Sequence, residues 1–114
     1  MNNSILLVDN FYARKSLQES NGDCIYDVKD KTLNELIFII HVQKNGHMFI
    51  RFCSKKIKIK NSIRILNKFS EYLLSEGITP MLKIINKNQV LQYICRRAGY
   101  RQKGCIFTFK NKNV

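Results

Sequence analysis

The segment from Phe49 to Tyr100 constrains this chain more than any other, because two strand patterns in it are separated by a long helical one and followed by a short helix. Met48-Phe49-Ile50-Arg51-Phe52-Cys53 alternates, with Met48, Ile50 and Phe52 on one side and Phe49, Arg51 and Cys53 on the other. Asn61 or Ser62 then caps a helix to Glu76, with Ile63, Leu66, Phe69 and Leu73 sharing a face and Gly77 placed to end it. Met81-Leu82-Lys83-Ile84-Ile85 resumes as a strand, with Pro80 at its mouth, where a missing N–H does least harm. Strand, helix and strand in succession predict a crossover that pairs 49–53 with 81–85 in parallel. Between the first strand and the helix lies Ser54-Lys55-Lys56-Ile57-Lys58-Ile59-Lys60, a basic turn opening a helix and therefore a candidate phosphate cradle.

The rest of the chain reads as sheet and helix added to this unit. Residues 4–8 are a short apolar strand, Asp9 or Asn10 caps a helix over 11–19, and Ser20-Asn21-Gly22-Asp23 stops it. Cys24-Ile25-Tyr26-Asp27-Val28 alternates as a strand. Leu36-Ile37-Phe38-Ile39-Ile40 is a continuous apolar run, as in a strand covered on both faces, and it leads to Lys44-Asn45-Gly46-His47, whose Asn-Gly pair predicts a type I′ hairpin into 48–53. Downstream, Asn88 caps a last helix with Val90, Leu91, Ile94 and Ala98 on one face, Gly99 ends it, and 105–109 closes the sheet as an antiparallel strand before a frayed polar tail. The predicted order is β-α-β-β-β-α-β-α-β, an α/β domain with a mixed, mostly antiparallel sheet and helices on both faces.

At 114 residues the chain is long enough for one domain, spanning 1–114. Its four cysteines form no CxxC pair and have no histidine at zinc-finger spacing, so they read as reduced thiols in a cytoplasmic protein without a metal site. The N-terminal apolar run lacks a basic leader and is too short for a signal peptide or membrane span. Charge separates along the chain: residues 1–40 hold four Lys/Arg against six Asp/Glu, and residues 41–114 hold sixteen against two. Such a field attracts nucleic acid and phosphorylated cofactors, although abundant Lys, Asn and Ile together also fit a base-composition bias that coats the surface with lysine.

The predicted order and the segment Asn88-Gln89-Val90-Leu91-Gln92-Tyr93-Ile94-Cys95-Arg96-Arg97-Ala98-Gly99-Tyr100 resemble the GNAT acetyltransferase superfamily. The family's last helix has Asn, an apolar or small residue three later, Tyr seven later, and Gly-aromatic eleven and twelve later. Asn88, Leu91, Cys95, Gly99 and Tyr100 hold those positions here. The short length is similar to that of small GNAT-like proteins encoded by bacteriophages. The resemblance implies a splayed pair of parallel central strands, with the pantetheine arm of acetyl-CoA against Phe52 and Cys53. It places the pyrophosphate at the helix mouth near Lys58, Lys60, Asn61 and Ser62, and gives Asn88 a cofactor role besides its cap. The chain departs from the family's Gln/Arg-x-x-Gly-x-Gly/Ala loop, having no glycine there, and carries Cys95 where the family's proton-donating Tyr stands.

The implied reaction is transfer of an acetyl group from acetyl-CoA to an unknown amine. Cys95 is the candidate acid, and His47, with His41 as a rival, the candidate base. Each has a structural reading as well: packed small residue for Cys95, hairpin surface for the histidines, and an edge-protecting lysine run for 55–60. The alternative function is a non-catalytic GNAT-like protein binding nucleic acid, or a host or virion protein, through a basic face. Arg96 and Arg97 beside Arg101 and Lys103 form a second basic cluster, the first two explained electrostatically by their place at a helix C-terminus.

Overall fold

In the computed structural model, which describes residues 4–85 and 88–110, the predicted crossover is present, but its parallel pairing joins 47–48 to 81–82 and not 49–53 to 81–85. His47–Phe52 (β5) leads through the basic turn into Ile59–Ser75 (α1) and then Met81–Lys83 (β6), and β5 and β6 pair in parallel. Upstream lie Ser4–Val8 (β1), Phe11–Gln18 (β2), Cys24–Asp30 (β3) and Glu35–Val42 (β4); downstream lie Gln89–Arg97 (α2), Tyr100–Lys103 (β7) and Ile106–Phe109 (β8). The strands form one eight-stranded sheet in the order β1-β2-β3-β4-β5-β6-β8-β7, antiparallel except for β5 and β6. No helix among the described residues is long and apolar enough to cross a membrane. The tail 111–114 lies outside the described residues.

The expected helix over 11–19 is a strand. Asp9-Asn10, read as its cap, is a two-residue hairpin turn that registers Val8 with Phe11, and Asp9 takes a φ of 53° to make it. Phe11 and Ala13 are buried while Tyr12 and Arg14 point the other way, a period of two that pairing on both edges of β2 enforces over the helix propensity of Ala-Arg-Lys. Asp9 also accepts from Arg64 of α1 at 2.8 Å, tying the hairpin to the helix.

Losing that helix changes the architecture from helices on both faces to helices on one. A small apolar hollow has Phe38, Ile40, Ile50 and Phe52 on its sheet side and Ile65 and Leu66 of α1 with Leu91 and Ile94 of α2 above them. Asn67 of α1 donates to the Ala98 carbonyl at the end of α2 (2.9 Å), so the helices lie side by side. Their core is aromatic. Phe69 and Phe107 are fully buried, and Phe69 meets Tyr26 edge to face at 5.0 Å. No described helix covers the opposite face of the sheet.

Ends and turns follow local chemistry with three departures. The helix α1 begins at Ile59 with Lys58 as its N-cap and no side-chain cap, so neither Asn61 nor Ser62 caps it; Ser62 is instead buried under its first turn. Its other end is as expected. Gly77 (φ 82°) donates to Leu74 O and Ile78 donates to Leu73 O, the paired bonds of a Schellman ending. The 43–47 hairpin is not type I′. Only Gly46 has positive φ (96°), and the Asn45 side chain accepts from the His47 N–H. The strand β7 was hidden in sequence because only Tyr100 of its four residues is buried.

Candidate functional site

Two parallel strands joined by a crossover helix need not stay paired along their lengths, and β5 and β6 do not. They are registered at His47↔Met81 and Met48↔Leu82 and then part, while β5 continues to Phe52. The vertex is held by a close approach. Gly46 O accepts from Met81 N at 2.8 Å, and a Cβ on Gly46 would sit 2.1 Å from Thr79 O, which is why glycine stands there. Below the vertex β6 turns to β8, and Ile84 donates to Cys105 O at 2.9 Å.

The antiparallel ladder with β4 fixes which β5 groups face the gap. Gln43 N donates to His47 O, and Cys53 N donates to Ile37 O, so the odd-numbered residues of β5 exchange bonds with β4. The backbone N–H and C=O of Ile50 and Phe52 therefore turn toward the separating edge. The Phe52 ring is half exposed beside them and rests edge-on against Phe38 at 5.0 Å.

Past Phe52, β5 runs through the basic turn into the N-terminus of α1. The first turn holds Ile59, Lys60 and Asn61, whose N–H groups precede the first intrahelical bond, Ser62 N to Lys58 O. No acid lies in that turn. Positive partial charge and the lysines thus act together there. Residues 53–62 include none with positive φ, so the turn needs no glycine for its conformation. Ser54 shapes it by donating to Glu35 Oε1 at 2.7 Å and accepting from Lys56 N at 3.2 Å. A cavity of about 150 Å³ beside the turn is lined by Asp30, Glu35, Ser54, Lys56, Lys58 and Asn61 over apolar residues. Asp30 and Glu35 were not legible as neighbours of the turn, since they come from strands far away in sequence.

Lys58 and Asn61 are brought together in that cavity, Phe52 lines the apolar hollow under the helices with the buried Ser62, and Cys53 and Lys60 are exposed just past β5 and in the first turn of α1. Asn88 caps α2, its side chain accepting from Leu91 N at 3.1 Å. His47 is at the narrow end, half-buried and five residues before Phe52, roughly 17 Å along the strand. Cys95 belongs elsewhere. It has no exposed surface and sits in the core beneath α2, where burial pushes its thiol up to about 12 despite the neighbouring Arg96. The adjacent Tyr100 hydroxyl is raised by burial too, and bonds Ser70. His41 lies on the uncovered face, 6.0 Å from Phe49 ring to ring, with Nε2 3.5 Å from Asp23. The second basic cluster divides: Arg96 is held by Gln92 and Gln102 over the Phe107 ring on the helical side, whereas the register puts Arg101 and Lys103 on the uncovered face. No group of His, Cys, Asp and Glu among the described residues could hold a metal ion.

No protein-family model, no curated protein and no solved structure matches this chain.

Proposed function

We propose that this chain is a GNAT-like acyl-CoA-binding domain that transfers an acetyl group to an amine. The observation that carries the reading is the gap itself. β5 and β6 pair at only two positions, and beyond them β5 runs on, through the basic turn, to the uncapped N-terminus of α1. The donors present suit an acyl-CoA. Ile50 and Phe52 would pair with the amides of the pantetheine arm as an edge strand pairs with an added one. The N–H groups of Ile59, Lys60 and Asn61 would receive the pyrophosphate, with Lys58 and Lys60 as point charges. The missing glycines do not prevent this, because Ile59 is exposed rather than folded across the turn.

Acetyl-CoA would supply the activated thioester, whose carbonyl carbon bonds to the amine nitrogen as the C–S bond breaks. His47, at the vertex, would take the proton lost by the amine, directly or through water. Cys95 has no part in the reading: its thiol is enclosed and held in its neutral form, away from the opening, so the departing thiolate would be protonated by solvent.

Calorimetric titration with coenzyme A tests this. Binding with Kd below about 1 mM is expected. Lys58→Ala with Lys60→Ala should weaken it severalfold, and Cys95→Ala should leave both affinity and turnover unchanged. Absence of heat at near-millimolar coenzyme A would overturn the reading, and unchanged affinity in the lysine variant would remove the pyrophosphate from the α1 N-terminus.

A further inference from the structure

The face of the sheet that no described helix covers differs in kind from an ordinary solvated sheet surface. Along β5, β6, β8 and β7 the register turns Phe49, Arg51, Lys83, Arg101 and Lys103 to that face, and these four strands contain no acidic residue. Phe49 is 58% exposed, a large aromatic ring left in water on the central strand of the sheet, with His41 beside it. The four cations are all exposed and none forms an ion pair among the described residues. Neighbouring strands lie about 4.8 Å apart, so charges on β5, β6 and β7 span roughly 14 Å across the face.

We propose that this face binds single-stranded polynucleotide, with a base stacked on Phe49 and phosphates neutralised by Arg51, Lys83, Arg101 and Lys103. The chemistry selects this occupant over the other two that an apolar-basic face admits. A second copy of the chain would set cations against cations across a two-fold interface. A duplex keeps its bases stacked inward and offers nothing to an isolated ring, whereas an unpaired base presents a π-face, and aromatic residues among cations are how such strands are held without sequence preference. The inference stands apart from acyl-CoA binding, since it uses neither the gap backbone nor the α1 turn.

Fluorescence anisotropy with labelled single-stranded RNA and DNA of about 12 nucleotides, within the usual site sizes, tests it against a duplex of equal length and against vesicles rich in anionic lipid. Single strands should bind more tightly than the duplex, and the comparison of RNA with DNA tells which is preferred. Phe49→Ala should lower affinity at least about fivefold, the low end for one stacked base. The combined variant Arg51→Gln, Lys83→Gln, Arg101→Gln should flatten the dependence of log K on log salt by about 2, at ~0.7 per lost phosphate contact. Lys56→Gln with Lys58→Gln, on the helical side, should change neither, and circular dichroism confirms that each variant is folded. Equal binding of duplex and single strand with no effect of Phe49→Ala, binding lost only in the helical-side variant, or binding to vesicles alone would each overturn the proposal.

Discussion

The two faces of the sheet are built from the same strands, and side chains one position apart meet opposite conditions. On β4, Phe38, Ile40 and Val42 are buried beneath the helical layer, while Ile39 and His41 between them face outward and are only half covered. On β5, Met48 is buried and Phe49 is exposed. The covered face holds the aromatic core and the raised hydroxyls and thiol. The uncovered face holds cations and a bare ring. The difference teaches that stability and recognition are separated by one residue of register, so substitutions on the two faces should divide into large and small effects on folding.

The largest effect should come from Phe69→Ala. The ring is fully buried against Tyr26 at the centre of the covered face, and its loss removes transfer energy and leaves a cavity, about 3–5 kcal/mol together. Urea denaturation measures it. A cost below about 1 kcal/mol would mean that the helices do not seal this face.

Next is Gly46→Ala. The new Cβ would meet Thr79 O at 2.1 Å on a residue held at φ 96°, so left-handed strain and overpacking add to roughly 2–4 kcal/mol. Because the contact sets the vertex, the variant should also weaken coenzyme A binding beyond any loss explained by unfolding. Unimpaired binding in a folded variant would uncouple the vertex from the gap.

These sites show what sequence could and could not supply. The crossover was legible because Leu66, Phe69 and Leu73 recur at helical spacing between two strand patterns, and that pattern is local. The Asn88 cap and the Gly77 ending are likewise one-turn signals. Residues 11–18 were not legible as a strand. Their alternation is confined to Phe11 and Ala13, and what decides it is pairing with β1 and β3 on either side. With that strand misread, the uncovered face could not be foreseen, although Arg51 already stood on the side opposite Met48 and Ile50. The α1 start was misplaced for a similar reason. Asn61 and Ser62 offer good capping side chains, but the chain begins the helix earlier and buries Ser62, leaving the first turn without a side-chain cap. The burial of Cys95 has no signal in the family-like spacing, which fixes its place along α2 and not the depth of the core beneath it.

Alkaline titration should separate the faces more gently. The Cys95 thiol, raised from 9.0 to about 12, stays protonated in the folded chain while the unfolded chain releases its proton near the ordinary value. The unfolded state then binds fewer protons, so stability is unaffected below about pH 9 and falls between there and about pH 12, by roughly 1.4 kcal/mol per pH unit for this group. Tyr26 and Tyr100, raised by burial on the same face, steepen the fall at the upper end. Chemical denaturation across this range should show a shallower slope for Cys95→Ala than for the parent. Equal slopes would place the thiol in contact with water.

The smallest effect on folding should come from Phe49→Ser, and that smallness is informative. An exposed aromatic in a strand contributes through cross-strand contact, here with His41, and removing it should cost no more than about 0.5–1 kcal/mol. Strand propensity alone would be satisfied by Thr or Val at this position, so a Phe there is not needed for the sheet. A denaturation midpoint close to the parent's, together with the loss of single-strand affinity expected above, would assign the ring to recognition. A loss of several kcal/mol would instead show that Phe49 is covered in solution, and the two faces would then be alike in carrying core.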